Sequence, residues 1–564
     1  MKQIITPRGN VALPIGTQID ISKNNPLFAV AEEFSINLTV PRPPNEHIFG
    51  YRNRLASATT DLTIDAQFLF HGREQINGAV TLVSASDDEY EVLLKGSRNN
   101  FFFSNGPVMI DEIDFGTELF VPGVETPTEE QKTAEMLNTT MLDRDWICFP
   151  ANVSADGITS EPCNSWDFQA GTFVTAWSFA PFLRLCSAID RLFNHFGYEI
   201  SENWFTGTQE RRNIVIFRMP VAMTATVEIA RFFPKWSVTD FISELENYFP
   251  VTFRIDSRSK QVRIIGDDAI LAGDVAGSID AYVTGKPKIT FNDTQNGYVL
   301  KYNLPADDTV NSDKDYADQV NAADYNSFYD FDAASELVRT NRSIADGMYY
   351  KPTGSGDAWT WEKVGSVAMD VRSGDGDITR ETKVYPCMNE IASVSQMMTF
   401  THVGEDPRSW LQKIFLQAPV CKSKVTAGAG YNYLSDLRLM VYRGMDAPHP
   451  DTNTIPDGYS FDHELSYPMA NFVNHKMNGD QWPLNDLELR WDTAEGLRGA
   501  ETIAFLDGAR KITATLLMHH IELEKIDLTK VYTLQGQRVL ISELVVHYGA
   551  SAMVAIDATL LMAK

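Results

Sequence analysis

Cysteine is scarce in this chain of 564 residues. The five cysteines are widely scattered, with no CxxC pair and no spacing typical of a metal site, at Cys148, Cys163, Cys186, Cys387 and Cys421. Such a set does not predict the disulfide framework of a small secreted protein. We therefore expect reduced thiols and synthesis in a cytoplasm. Cys186 falls on the apolar face of a predicted helix, which predicts a core position.

Positive charge and long apolar runs are also scarce. Lys and Arg number 48 against 75 Asp and Glu, a formal net charge of -27. Surfaces that bind nucleic acid or anionic membranes need clustered basic residues, so the composition disfavours both functions. No apolar segment approaches the roughly 18 residues that span a membrane. The N-terminal stretch MKQIITPRGNVALPIG lacks the apolar core of a signal peptide, so we do not expect export by the usual secretory route.

Motifs of catalysis are absent from the sequence. It contains no P-loop, HExxH or GxSxG motif, and TAGAGYN at 426–432 lacks the third glycine of a dinucleotide-binding turn. Because no pair of acids is singled out either, we predict that the chain is not an enzyme. We name no catalytic residue and no cofactor.

Two patterns could suggest a metal, and neither fits one. The acids Asp313, Asp315 and Asp318 lack the glycine and the final glutamate of a calcium loop, and DGDITRE at 375–381 is similar. The pair His519-His520 ends a strand run, so we expect the two imidazoles on opposite faces, a poor arrangement for one metal. The sequence therefore predicts no metal site.

Alternation of apolar and polar residues dominates both ends of the chain. Within 1–105, EEFSINLTV, DLTIDAQFLF, EQINGAVTLVSA and DEYEVLLKG predict four strands. Within 281–564, RKITATLLM, KVYTLQGQRVLISELVVHYG and SAMVAIDATLLMA predict long strands with turns at Gly536 and Gly549. We predict one small β-barrel at each end. An insertion at about 304–400 splits the C-terminal barrel.

A mixed domain is predicted between them, at 177–280. The same block occurs twice: an amphipathic helix, an aromatic residue with a breaker (Phe196-Gly197 or Phe249-Pro250), and two strands. One αββ unit cannot bury both of its faces. We expect the two units to pack their helices on a shared four-stranded sheet.

Two segments concentrate the acidity. Residues 106–170 hold thirteen Asp or Glu against Lys132 and Arg144, and residues 307–332 hold eight Asp against one Lys. We expect 106–176 to be an acidic insertion or linker.

The predicted fold class of the whole chain is α+β and mostly β. Two tube-like β-barrel domains flank a mixed domain of two αββ units, with acidic insertions.

This order of domains resembles the hub protein at the distal end of phage tails, as in phages infecting Bacteroidota and in related contractile injection systems. The likeness is carried by FSINLTVPRPPNEHIFGYRN with TIDAQFLFHGREQINGAVTLV, by VTDFISELENYFPVTFRID, and by IDLTKVYTLQGQRVLISELVVHY. It covers about two thirds of the chain and omits the acidic segments.

The resemblance implies a structural virion protein that forms a homotrimer. Six barrels would join a six-fold tail tube to a three-fold spike or fibre around a DNA channel. The implied partners are tail tube or distal tail proteins and a spike or tail fibre protein, with DNA only in passage. Assembly is expected in the cytoplasm of the bacterial host. An acidic lining of the channel would repel the phosphates of DNA. The simpler explanation of the net negative charge is solubility.

Two alternatives stay open. A carbohydrate-binding or receptor-binding tail protein would need an exposed aromatic patch, for which MYYKPTGSGDAWTW offers Tyr349, Tyr350, Trp359 and Trp361. A glycan hydrolase has no supporting feature in the sequence.

Overall fold

The structure is a computed structural model. It describes residues 2–25, 27, 33–54, 62–97, 100–154, 161–167, 171–174, 180–217, 225–256, 259–294, 298–302, 342–344, 348–355, 358–366, 378–386, 389–391, 398–399, 417–422, 437–446, 467–471, 487, 489, 505 and 509–562. Over these residues the chain is mostly β with few helices, as the alternation predicts. The acidic segment 307–332 lies outside the described residues.

The N-terminal elements are β1 Lys2–Thr6, β2 Gly9–Val11, β3 Ile19–Asn24, β4 Glu33–Pro41, α1 Arg42–Phe49, β5 Thr63–Phe70, β6 Arg73–Ala85, β7 Glu89–Ser97 and α2 Asn100–Asn105. The next elements are β8 Thr117–Leu119, α3 Glu129–Met141, β9 Trp146–Ile147, β10 Ala151–Ser154, β11 Glu161–Cys163, β12 Trp166–Asp167, β13 Thr172–Phe173, β14 Phe182–Leu183, α4 Leu185–His195, β15 Glu199–Asn203, α5 Gln209–Arg212, β16 Ile214–Ile216, β17 Thr226–Glu228, α6 Val238–Tyr248, β18 Val251–Asp256, β19 Gln261–Gly266, α7 Asp267–Leu271 and β20 Val275–Ser278.

The C-terminal elements are β21 Lys288–Thr294, β22 Tyr298–Tyr302, β23 Arg342–Ile344, β24 Met348–Ser355, β25 Ala358–Ser366, β26 Ile378–Thr382, β27 Val384–Pro386, β28 Asn389–Ile391, β29 Met398–Thr399, β30 Gln417–Lys422, β31 Leu437–Asp446, β32 Tyr467–Asn471, β33 Arg510–His519, α8 His520–Glu524, β34 Val531–Leu534, β35 Gln537–Tyr548 and β36 Met553–Met562.

The N-terminal strands form an antiparallel sheet in the order β2-β1-β5-β6-β7-β4. Strand β5 has the burial pattern of a sheet with one covered face, because its residues are alternately exposed and buried over most of its length. A pleated strand points successive side chains to opposite faces, so this period places the apolar residues on one face. Helix α1 follows β4 directly, with proline in its first turn, where a missing N–H costs nothing. The PRPPN stretch therefore ends an edge strand and begins a helix.

The C-terminal strands form a second sheet in the order β20-β34-β35-β36-β33-β21. An N-terminal strand joins it: β3 pairs antiparallel with the second half of β35, from Ile19 opposite Tyr548 to Asn24 opposite Glu543. The sheet made mostly by the last fifty residues is therefore completed by the first twenty-five.

The two sheets bury one hydrophobic core between them. This core contains Ile64, Phe68 and Phe70 of the N-terminal sheet together with Leu544 and Ile556 of the C-terminal sheet. Among the described residues, neither sheet closes on itself into a barrel. The described strands therefore form two sheets on a shared core, and the two complete barrels stay a prediction. Alternation shows only that each strand has one apolar face, and it does not show what covers that face.

The mixed region confirms that two helices pack near a shared sheet, but the sheet differs from the prediction. Its order is β15-β19-β18, with three strands instead of four. Strand β16 pairs with β31 instead, Ile214 lying opposite Val441. All three residues of β16 are buried. Successive side chains of a strand point to opposite faces, so both faces of β16 are covered. A half-exposed strand would instead alternate buried and exposed residues.

The acidic segment 106–176 packs with this mixed region. Ile110, Phe120 and Met136 belong to the same hydrophobic core as Ile189 of α4 and Phe241 of α6. Its helix α3 begins with a capping box between Thr128 and Gln131. The domain boundaries stay predictions, yet these contacts make the segment part of a folded core.

Candidate assembly site

The two ends of the chain contain the same supersecondary unit. We call residues 33–97 the N-terminal unit (β4, α1, β5, β6, β7) and residues 510–562 the C-terminal unit (β33, α8, β34, β35, β36). In each unit a strand runs directly into a short helix, and three antiparallel strands follow. The strand patterns of the sequence do not by themselves indicate this repeat.

The strand pairing is also the same in the two units. The first strand pairs antiparallel with the last along its whole length, from Glu33 opposite Ser97 in one unit and from Arg510 opposite Met562 in the other. The sheet order is β5-β6-β7-β4 in the N-terminal unit and β34-β35-β36-β33 in the C-terminal unit. The two units are therefore alike in topology.

The first hairpin turn matches in detail. His71-Gly72 joins β5 to β6, with φ values of 49° and 77°. Gln535-Gly536 joins β34 to β35, with φ values of 51° and 77°. Positive φ at both central residues is typical of the two-residue turn that suits the twist of a hairpin, and glycine adopts it without strain. These X-Gly turns between alternating strands were the signal that could have indicated the repeat.

The units meet where the β5–β6 hairpin contacts α8. Arg73 forms an ion pair with Glu524, the last residue of that helix. Gln75 Nε2 lies 3.4 Å from Glu524 Oε1, and Tyr548 OH donates to Gln75 Oε1 at 2.7 Å. Phe70 packs on Tyr548 with the ring centroids 4.8 Å apart. One hairpin of the N-terminal unit therefore holds both the helix and the β35 end of the C-terminal unit.

Three histidines lie at this junction. The rings of His519 and His520 are 4.5 Å apart, and His71 stacks on His520 at 5.3 Å. The expectation that His519 and His520 point to opposite faces is wrong, because the chain turns from β33 into α8 between them. No group of metal-ligating side chains that could hold an ion occurs among the described residues.

The junction disfavours positive charge on two of these rings. Burial, the N-terminal amine and His519 lower the pKa of His71. Burial, His519 and His71 lower the pKa of His520, while Glu524 acts in the opposite direction. The same carboxylate opposes the burial that lowers the pKa of Lys23 on β3. Glu524 is thus the common counter-charge of the junction.

A fourth histidine lies on the outer face of the C-terminal sheet. His547 on β35 contacts Asp20 on β3 through Nδ1 at 2.8 Å, and Asp557 on β36 through Nε2 at 3.1 Å. The hydrogen bond to Asp20 raises the pKa of His547 against the opposing effect of burial, and Asp557 adds to it. This cross-strand group fastens β3 to the C-terminal sheet.

Part of the acidity is paired within the chain. Arg191 on α4 contacts Glu118 and Asp145, and Arg212 contacts Asp143 at 3.2 Å. These three acids belong to the segment 106–176. Within the described residues, therefore, some of its charge is balanced by the mixed region.

The predicted glycan-contact residues lie on one hairpin. Tyr349 and Tyr350 fall on β24, and Trp359 and Trp361 on β25. The two strands pair antiparallel, with Pro352 opposite Trp361. Their side chains lie outside the described part of the structure, so glycan binding stays a prediction. The acids Asp313, Asp315 and Asp318 also lie outside it.

The described cysteines behave as core residues. Cys186 on α4 is buried, which confirms the sequence prediction. Burial raises the pKa of the Cys148 thiol to about 12. A thiol with a raised pKa is a poor nucleophile, so Cys148 has the chemistry of a packing residue.

Comparisons with known proteins do not assign the chain to a family. No protein-family model matches the chain, and no curated protein matches it. Among solved structures, the chain is similar to the 43 kDa tail protein of prophage MuSo2 from Shewanella oneidensis, with a TM-score of 0.33 and 9% identity, over 99% of this chain and 97% of that chain. A TM-score of that size does not establish a shared fold. Within the described residues, no helix has the length and apolarity needed to cross a membrane.

Proposed function

We propose that this chain is a structural phage tail protein, the hub that joins a six-fold tail tube to a three-fold spike or fibre. The observation that carries the proposal is the repeated unit. Residues 33–97 and 510–562 have the same order of elements and the same pairing of first and last strand. One chain therefore offers two similar units to an assembly.

Symmetry explains the use of such a repeat. A ring of three chains presents six units of one topology toward a six-fold neighbour, while the rest of each chain keeps three-fold symmetry toward a spike. Contacts that repeat head to tail close into a ring when the rotation between neighbours closes. The N-terminal and C-terminal units already pack side by side on one core, which supplies one such step within the chain.

The net charge of -27 suits this function. A channel that DNA passes must not bind phosphate, and an excess of acids repels it. We propose that DNA is a passing polymer here and that the chain performs no catalysis. Its partners are further copies of itself, the tail tube or distal tail proteins, and a spike or tail fibre protein. Its place is the virion tail.

The test is the native mass of the purified protein, followed by imaging. Native mass spectrometry should give three times the chain mass of 63.2 kDa. Electron microscopy should then show a ring with six similar lobes. A particle that stays monomeric at every concentration, or a trimer whose lobes are not six-fold related, would overturn the hub proposal.

A further inference from the structure

Three imidazoles lie where the β5–β6 turn meets α8. The ring of His71, the first residue of the turn, stacks on the ring of His520, the first residue of α8, with the centroids 5.3 Å apart. The ring of His519 lies 4.5 Å from that of His520. A positive charge on one of these rings therefore acts at close range on the others.

The buried ring of His520 has no place for a second proton. His520 is 5% exposed, and its Nδ1 is buried without a hydrogen-bond partner among the described residues. A neutral imidazole carries one N–H, whereas a protonated imidazole carries N–H on both ring nitrogens. In the protonated ring, Nδ1 is a charged donor without an acceptor, which costs free energy in a buried position.

His519 contributes to the junction as the cap of α8. Its Nδ1 accepts a hydrogen bond from the Ile521 N–H at 3.3 Å. A protonated imidazole has no ring nitrogen that can accept a hydrogen bond. Protonation of His519 therefore removes the cap from a helix that has only five residues.

The carboxylates near the rings are already paired. Glu524 pairs with Arg73 of the β5–β6 hairpin, and Glu522 pairs with Lys525 at 2.8 Å. The other ionisable groups described at the junction carry positive charge or none, namely the N-terminal amine, Lys23 of β3 and Tyr548 of β35. Protons added to the rings therefore raise the positive charge of the junction without a further carboxylate to balance it.

The pKa values of two rings respond to this environment. Burial lowers the pKa of His520, and His519 and His71 lower it further, while Glu524 acts in the opposite direction. Burial also lowers the pKa of His71, against a backbone hydrogen bond to Ser551. Rings released from the junction recover their ordinary pKa, so an open junction binds protons more readily than the closed one. The closed junction is favoured above about pH 6.5 and loses that advantage as the pH falls through the lowered pKa values.

The polar contact between the turn and α8 can open without loss of the core. Arg73 is half-exposed in its pair with Glu524, and exposed ion pairs contribute little to stability. Phe70 is fully buried and anchors the base of the turn, with its ring centroid 4.8 Å from that of Tyr548. The turn and α8 can therefore separate while the two sheets stay packed.

We propose that His71, His519 and His520 form a pH-sensitive switch between the two units. As the pH falls, the β5–β6 turn separates from α8, and Phe70 stays in the shared core. A switch of this kind acts within one chain, so it goes beyond the hub proposal and does not depend on it.

Hydrogen-exchange mass spectrometry of the full-length protein tests the switch. Exchange is measured at about pH 7.5 and about pH 5, and each rate is corrected for the intrinsic effect of pH on amide exchange. The amides of Ile521, Lys525 and Ile526 report on α8, because they bond His519 Nδ1 and the Glu522 and Leu523 carbonyls. A peptide covering 519–527 should lose about tenfold or more of its protection at the lower pH. The protection should return when the pH is raised, while β4 and β7 stay protected throughout.

Substitutions assign the opening to the imidazoles. His520→Phe keeps an aromatic ring beside Phe70 and His71 but binds no proton, so it should remove most of the pH-dependent loss. His195→Phe is the matched control: His195 is an exposed residue at the end of α4, outside the junction, and this variant should open as the wild type does. His519→Asn keeps a good helix cap that does not titrate, and it should reduce the loss. This variant carries the test if His520→Phe does not fold.

Three results would overturn the switch. Protection at 519–527 that is the same at both pH values shows that the junction does not open. An equal loss in the wild type and in His520→Phe assigns the opening to other groups. Loss of protection in β4 and β7 together with α8 indicates global unfolding. Native mass at the same two pH values tests the hub proposal separately, since the switch predicts the same exchange pattern for a monomer and a trimer.

Discussion

The N-terminal and C-terminal units share one topology but differ in how they are completed. In the N-terminal unit, β5 has eight residues and covers most of β6. In the C-terminal unit, β34 has four residues and pairs with only the first part of β35. The remainder of β35 would be an open edge, and β3 covers it. The second half of β35 therefore takes its partner from the start of the chain, whereas β6 is paired over most of its length by β5 of its own unit.

This difference shows how the two units are tied together. Strand β3 enters the C-terminal sheet, and the β5–β6 hairpin reaches α8 from the other unit. The C-terminal unit therefore receives two supports from the N-terminal part of the chain.

The largest effect is expected from a core residue that contacts both units. Phe70 is fully buried and packs on Tyr548 and His520 of the C-terminal unit. Leu534 occupies the same place before the turn in the C-terminal unit. We expect Phe70→Ala to lower the free energy of unfolding by about 3–5 kcal/mol and Leu534→Ala by about 2 kcal/mol. Urea unfolding measured by fluorescence gives both values.

Equal losses for the two variants would contradict the idea that Phe70 joins the units. Phe70→Leu provides the control, because it keeps most of the apolar volume and should recover much of the loss. Two separate unfolding transitions in the wild-type protein would be a stronger contradiction, because a shared core predicts cooperative unfolding.

Much of the strand content could be predicted from the sequence, while the partners of the strands could not. EEFSINLTV and RKITATLLM alternate clearly, and they form β4 and β33. In contrast, IDISKN offers only Ile19 and Ile21 as apolar positions, too few to predict a strand. Its partner β35 lies more than 500 residues away in the sequence. Local periodicity contains no information about pairing across such a distance.

The candidate site was partly visible in the sequence. The turn at Gly536 was predicted, and its likeness to the turn at His71-Gly72 appears only when strand order is known on both sides. The Arg73–Glu524 pair could not be predicted, because each acid has many possible bases and only the fold brings these two together. The helix after β33 was also missed, since His519-His520 continues an alternating run and α8 has only five residues.

Two buried asparagines give the next largest effect: Asn45 lies within the N-terminal unit, and Asn25 bonds the C-terminal unit. Asn25 Nδ2 donates to the Leu528 and Ile541 carbonyls at 2.6 Å and 2.8 Å, which fixes the end of β3 on the C-terminal unit. Asn45 Nδ2 donates to the Ala12 and Pro41 carbonyls at 3.0 Å and 2.8 Å. We expect either Asn→Ala variant to cost about 1–3 kcal/mol, because buried carbonyls lose their donors.

The two variants should differ in which strands lose protection from hydrogen exchange. Asn25→Ala should increase hydrogen exchange in β35 and leave β6 protected, and Asn45→Ala should act on the N-terminal hairpin and α1. Hydrogen-exchange mass spectrometry measures both. The same exchange pattern in the two variants would show that the asparagines support one common region.

A smaller and equal effect is expected at the two matched turns. Gly72 and Gly536 both have φ of +77°, and an added Cβ would contact nothing at either position. Alanine there costs only the left-handed backbone conformation, about 1–2 kcal/mol. Gly549 provides the control, because its φ is not left-handed and its surroundings are equally open. Gly549→Ala should be close to neutral in thermal unfolding, and unequal losses at Gly72 and Gly536 would break the match between the turns.

The smallest effect is a pair of opposite pH dependences. At the junction, the pKa values of His71 and His520 lie below their ordinary value of 6.5, so the unfolded chain binds protons more readily. Their contribution to stability is present above pH 6.5 and is lost as the pH falls through the lowered pKa values. On the outer face, Asp20 and Asp557 raise the pKa of His547. Its contribution is present below pH 6.5 and is lost as the pH rises through the raised pKa.

Variants separate the two contributions, measured as urea midpoints between about pH 5 and pH 8. The difference between His547→Gln and wild type should be a loss at acidic pH that shrinks toward zero as the pH rises. His520→Gln should show the reverse trend, with its deficit decreasing as the pH falls, because the substitution removes a ring that resists protonation beside His71, His519 and Arg73. If both differences stay constant with pH, neither the junction nor the outer face titrates as its geometry predicts.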